Sequence, residues 1–215
     1  MRKLIAAAFV SLDGVMQAPG GPQEDPSGGF ELGGWVAPLW DGSVEEGIAP
    51  LFSGPLDLLL GRRTYDIFAA HWPYQTDPIG EAYNRAAKYV VTSSTEPLSW
   101  ANSHALNDGL DCVAKVKAQD GPDLQMWGSS TLYSGLIGRG LIDRFYLITF
   151  PLVLGKGKRL LDGVPAKRLR LVDSKVSTTG VIVATYEPAG PVQTGSFAAE
   201  TPSEAELARR EALTG

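Results

Sequence analysis

The sequence contains one cysteine, Cys112, and two histidines, His71 and His104, among its 215 residues. A lone cysteine excludes an intramolecular disulfide and any cysteine zinc cluster, and two histidines make a histidine-rich metal site improbable, so no metal is expected. Such sparing cysteine use fits a reducing cytoplasm. No apolar run reaches the ~20 residues of a membrane-spanning helix. Positive charge is not in excess either. The formal net charge is −5, and without a clustered basic face nucleic acid is not an expected partner. Three familiar motifs are missing: GxGxxG after the first strand, GxxxxGK[ST], and the second glycine that would make Gly128-Ser129-Ser130-Thr131-Leu132 a GxSxG elbow. A standard Rossmann site, a P-loop and an esterase-type nucleophile are therefore unsupported.

The amino terminus needs a decision. Arg2 and Lys3 followed by an apolar run have the outline of a secretory leader. The run stops at Val10, however, and Ser11-Leu12-Asp13-Gly14 follows where a cleavage site would stand. A buried strand over 4–10 is the expectation. Residues 17–34 then form a long loop rich in glycine and proline; structureless loops above ~12–15 residues are uncommon and often functional. Helices are expected at 43–52, with Ser43 and Glu46 at capping-box spacing, and at 62–70, 79–87, 108–118 capped by Asn107, and 129–138. Strands are expected at 56–60, 89–92, 124–127, 144–150, 169–176 and 181–186. Alternating strands and helices closed by a hairpin predict an α/β fold, a mainly parallel central sheet with an antiparallel C-terminal edge. Residues 1–188 read as one domain and 189–215 as a flexible, acidic tail with room for a short helix.

Three strand ends carry sequence suited to phosphate. Leu60-Gly61-Arg62-Arg63-Thr64 places a glycine between a buried strand and a helix whose first turn offers free N–H groups and a positive dipole end. Two arginines at a helix start oppose that dipole, so either an anion offsets them or they form surface ion pairs. Val91-Thr92-Ser93-Ser94 ends a strand in hydroxyls, which serve turns as readily as ligands. Trp127-Gly128-Ser129-Ser130-Thr131 repeats the strand, glycine, helix pattern. Ligands of open α/β sheets bind beyond the carboxyl ends of strands, so the three turns together say more than any one.

Taken in order, the segments Leu4-Ile5-Ala6-Ala7 to Gly14, Leu60 to Thr64, Val91 to Ser94, Trp127 to Leu132, Gly140-Leu141-Ile142-Asp143, and Pro151-Leu152-Val153-Leu154-Gly155-Lys156-Gly157 resemble the dihydrofolate-reductase-like superfamily. Within it they resemble the group named for the C-terminal reductase domain of the riboflavin-biosynthesis deaminase–reductase. The resemblance implies an NADPH-dependent reductase acting on a small planar heterocycle, pterin- or pyrimidine-like, and a homodimer. It implies that Gly61, Arg62, Arg63 and Thr64 hold cofactor phosphates, that Ser93 and Ser94 lie by the adenosine 2′-phosphate, and that Gly128, Ser129, Ser130, Thr131 and Leu132 cradle the pyrophosphate. Ala7, Leu12, Gly14 and Val15 would border the nicotinamide. Dihydrofolate reductases often have Gly-Gly where this chain has Gly128-Ser129. Their proton donor is a carboxylate on the helix after the first loop, a region that here offers Asp41, Glu45 and Glu46; Asp13 is a further candidate. Trp35, Trp40 and Trp72 are expected either to line a substrate pocket or to belong to the core. An apolar edge at 145–150 is expected either to form a dimer surface or to belong to the core. Two alternatives stand beside the main reading. One is the riboflavin-pathway pyrimidine reductase itself, although no second basic cluster for a substrate phosphate is evident, and the deaminase half, with its H-x-E and P-C-x-x-C pattern, is excluded by the single cysteine. The other is a non-catalytic binding protein of the same fold.

Overall fold

The structure is a computed structural model and describes residues 1–197 and 201–213. Eight strands form one sheet in the order β4-β3-β2-β5-β1-β6-β8-β7. These are β1 (Leu4–Ser11), β2 (Leu56–Gly61), β3 (Lys88–Val91), β4 (Ser103–Leu106), β5 (Asp123–Trp127), β6 (Arg144–Phe150), β7 (Leu169–Val176) and β8 (Ile182–Pro188). From β4 to β6 every neighbouring pair is parallel, and β8 and β7 add the antiparallel end. The mainly parallel sheet with an antiparallel C-terminal hairpin is as expected, and β4 is a strand beyond those expected.

Helices cover both faces. On one side α1 (Gly42–Ile48), α2 (Arg62–Ala69) and α3 (Pro78–Arg85) pack over Ala7, Leu58, Leu60 and Ile148. On the other, α4 (Leu110–Ala118) and α5 (Ser130–Gly138) pack over Leu4, Ala6, Ala8, Leu59 and Met126. Because a strand sends successive side chains to opposite faces, Leu58, Leu59 and Leu60 enter both cores, each fully buried. Burying such a side chain is worth ~1.5–3 kcal/mol, which is why these strands read as unbroken apolar runs. Arg2, whose charge gave the amino terminus its leader-like look, is buried and ion-paired to Asp57 on β2.

Several expectations are corrected. Asp41, not Ser43, caps α1: its carboxylate accepts from Val44 N at 2.9 Å and from the Ser43 hydroxyl. The helix ends at Ile48 and continues as a 3-10 turn through Phe52, since Pro50 cannot donate a helical hydrogen bond. Gly109 rather than Asn107 precedes α4. The short edge strand β4 has no apolar pattern, because its side chains are half-buried or exposed. The 145–150 segment lies inside β6, paired on both sides by β1 and β8, so it is no edge. In the tail, a helix α6 (Glu204–Ala212) is capped by Ser203; residues 198–200 and 214–215 of that tail lie outside the described residues. No described helix is long and apolar enough to cross a membrane.

Candidate functional site

Two helices start side by side at the carboxyl edge of the sheet. β2 delivers Gly61 to the start of α2, and β5 delivers Gly128 and Ser129 to the start of α5. Gly61 N–H donates to Ser129 Oγ at 2.7 Å, and Thr64 Oγ1 lies 2.9 Å from the same oxygen. A Cβ on Gly61 would stand 2.4 Å from Ser129 Oγ, so only glycine allows this approach. Gly128 (φ +89) and Ser129 (φ +67) both turn left-handed, and a side chain on Gly128 would press toward Met16 and Thr64. Gly61 and Ser129 give their own helices no side-chain cap. The first N–H groups of α2 and α5 are therefore left for another acceptor, and both dipoles end there. Such a pair of helix starts suits an anion with more than one negative group.

The flanking residues divide into two kinds. Arg62 donates to Asp66 at 2.9 Å and to both the carbonyl and carboxylate of Glu96. Arg63 reaches the Ser27 hydroxyl at 3.0 Å and lies 3.6 Å from Asp25. The cost of cations at a helix start is thus met by protein carboxylates, so the arginine pair by itself does not demand an outside anion. Ser93 is exposed, and the Ser94 hydroxyl accepts from Glu96 N, both just past β3, the neighbour of β2. Ser130 is half-buried and Thr131 exposed on the first turn of α5. Leu132 differs: its side chain belongs to the core, and its N–H already donates to Ser129 O at 2.8 Å. Ala7 is fully buried beside Trp127, its register partner. The 11–15 turn is held by Val15 N donating to Ser11 Oγ and by the 152–160 loop, with Leu12 exposed and Gly14 at φ +81.

The long 17–34 loop is folded. The Gln17 amide donates to Asp25 O and Ser27 O and accepts from Lys158 N, while Trp35 donates to Gln17 O. Gly34 N–H donates to Ala18 O, closing the neck. Lys156 and Lys158 meet this loop around a cavity of about 240 Å³, so two distant parts of the sequence share its walls.

Residues 2–183 match the family described as RibD C-terminal domain. The chain belongs to this family. YyaP, an uncharacterized protein of Bacillus subtilis (strain 168), is 26% identical, with 86% of this chain and 94% of YyaP covered. A Shewanella sp. PV-4 protein named for riboflavin biosynthesis superposes with a TM-score of 0.63 at 17% identity, covering 87% of this chain and 99% of its own. Dihydrofolate reductase of Enterococcus faecalis, solved with NADP(H), superposes at 0.56 and 14% identity over 86% and 96%. The fold is therefore dihydrofolate-reductase-like.

In this RibD C-terminal domain the carboxylates nominated from sequence are anchored elsewhere. Asp13 accepts from the Ser11 hydroxyl and from Leu154 N and Gly155 N, and these bonds hold its carboxyl well below the usual range. Asp41 is pulled down to about 2 by Ser43, Thr178 and Val44. Both are fixed anions, the opposite of what a proton donor requires. Glu45 is exposed and accepts from Trp40, Glu46 is exposed, and α1 turns Val44, Gly47 and Ile48 inward. Sequence reasoning passed over Glu24. Burial in the folded loop raises its pKa above the ordinary value, next to Asp25, which lies 3.6 Å from Arg63. The available signal was its place in a loop too long to be inert. Of the tryptophans, Trp35 is core, edge-on to Phe150. Trp40 and Trp72 are half-buried ends of an aromatic row that runs Trp40, Phe9, Trp127, Phe52, Tyr83, Trp72. Trp127, inside that row, is the register partner of Ala7 and precedes Gly128.

Proposed function

We propose that this chain is an NADPH-dependent reductase of a small planar heterocycle. The observation that carries the reading is the joint start of α2 and α5, locked side by side by Gly61, Thr64 and Ser129. The fit rests on backbone: Gly61 lets Ser129 draw the two turns together, and the first turns of α2 and α5 carry no side-chain cap. On this reading Gly61 to Thr64 and Gly128 to Thr131 hold the phosphates. Arg63, Ser93 and Ser94 lie toward the adenosine end, and Ala7 with the 11–15 turn borders the nicotinamide. The bound cofactor supplies the hydride. The aromatic row from Trp40 to Trp72 gives a flat substrate its stacking wall. Glu24 is our candidate for the proton donor, because burial in the folded loop raises its carboxyl above the ordinary value.

NADPH titration followed by tryptophan fluorescence tests the cofactor half: saturable quenching is expected, and none at millimolar cofactor removes the proposal. Glu24→Gln tests the donor: kcat should fall by about 10²-fold or more while NADPH affinity stays the same. Unchanged turnover moves the donor elsewhere.

A second reading, cofactor binding without catalysis, is favoured by the inward face of α1, which is apolar where a donor carboxylate would be expected. NADPH binding with no oxidation across pterin, pyrimidine and quinone panels would select it. The riboflavin-pathway pyrimidine reductase is the narrower form of the main reading, and complementation of a strain lacking that enzyme decides it. A homodimer fits the exposed outer strand β7, and the cytoplasm fits the single cysteine.

A further inference from the structure

β2 and β3 run parallel and end together, with Gly61 opposite Val91 in the register. Arg62, which opens α2, and the segment 92–96 therefore leave neighbouring strands at the same edge of the sheet. Hydroxyls shape that segment: Ser94 N donates to Thr92 Oγ1 at 3.0 Å, and Glu96 N donates to Ser94 Oγ at 3.2 Å. Glu96 then reaches back to Arg62. Its carbonyl accepts from Arg62 Nη1 at 3.0 Å and its carboxylate from Nη2 at 3.2 Å, while Asp66 takes Nε at 2.9 Å. All three guanidinium nitrogens are thus engaged. The Arg62 side chain is 22% exposed, whereas that of Glu96 is 79% exposed.

The charge at this point is the reverse of what an arginine suggests. One guanidinium stands between two carboxylates, so negative charge is in excess. A phosphate monoester brings about −1.5 to −2 more near neutral pH. In dinucleotide sites an acidic side chain beside the adenosine ribose favours a free 2′-hydroxyl, and an arginine favours a 2′-phosphate. Here the arginine is already claimed, and the acid is the outer, exposed member of the pair. Arg63 does not stand in for it, because its guanidinium is held by Ser27 and lies beside Asp25.

We propose that Glu96 is a specificity-determining residue: its carboxylate offsets Arg62, so that the chain binds NADH about as tightly as NADPH. The inference deepens the reductase reading and rests on it, with the adenosine ribose lying by Ser93 and Ser94. The Glu96 carboxylate accepts from a free 2′-hydroxyl there and repels a 2′-phosphate.

Binding alone tests this, without turnover. NADPH and NADH are titrated separately into the full chain at low salt, followed by tryptophan fluorescence, for the wild type and for Glu96→Gln. Glutamine keeps the size and can still accept from Arg62, but it carries no charge, and the exposed position tolerates the change. In the wild type the two dissociation constants should lie within about tenfold of each other. In Glu96→Gln, NADPH should tighten by roughly tenfold while NADH stays the same or weakens. That difference should shrink as salt is added. A merely structural role in holding the 92–96 segment would change both coenzymes by the same factor. The proposal is overturned by an unmoved NADPH-to-NADH ratio in Glu96→Gln, whether both affinities stay or both change together. It is equally overturned by a wild type that already prefers NADPH by about a hundredfold or more. Each of these results leaves the reductase reading standing. Binding of neither coenzyme removes that reading, and this proposal with it.

Discussion

One contact between two residues decides how closely the starts of α2 and α5 approach. Gly61 and Ser129 lie on different strands, and the missing Cβ of the first is filled by the hydroxyl of the second. Gly61→Ala is therefore expected to cost about 1–3 kcal/mol by overpacking. Ser129→Gly should recover most of that loss in the double variant, because position 129 already has the left-handed backbone glycine prefers (φ +67). Urea midpoints of the four proteins in the cycle measure the coupling. Additive losses would show that the two turns do not touch. The sequence announced both turns through their glycines, but not that a serine side chain joins them. Side chains that meet across the sheet carry no local signal.

At the scale of elements, caps and turns fix what the strands leave free. Asp41 starts α1 and also accepts from Thr178 in the turn between β7 and β8, so one carboxylate ties a helix to the terminal hairpin. Its pKa is about 2 in the folded chain against an ordinary 3.8. A carboxyl lowered by folding stabilises above its unfolded value and loses that contribution as pH falls through the folded one. The gap between wild type and Asp41→Asn in urea midpoint should therefore be constant near neutral pH and narrow from about pH 4 down to about pH 2. A constant gap across that range would contradict the assignment. Elements with strong period were legible: β6 and β7 begin and end where the apolar and alternating patterns place them. Ser43 looked like a cap by residue type, yet capping depends on which side chain reaches the free N–H, and its neighbour Asp41 does. Asn107 stands two residues before Gly109, which starts α4 with no side-chain cap. The fold of the 17–34 loop was illegible because its supports, Lys156 and Lys158, come from the far end of the chain.

At the scale of the molecule, the sheet has one strand order and two ends. β4 is short and polar at one end; β7 at the other leaves Leu171, Val172 and Val176 exposed. An open apolar edge strand invites pairing. Light scattering should find a dimer for the wild type and a monomer for Val172→Lys, and identical masses would place any interface elsewhere.

The position of β1 has its own consequence for synthesis. The first strand made is flanked by β5 and β6, so Leu4 waits for Leu124, and Ser11 for Phe150. At ~5–20 residues per second, translation leaves that oily segment without partners for on the order of ten seconds. Ribosome-bound chains halted before β6 should thus recruit chaperones, and release from them should coincide with emergence of that strand.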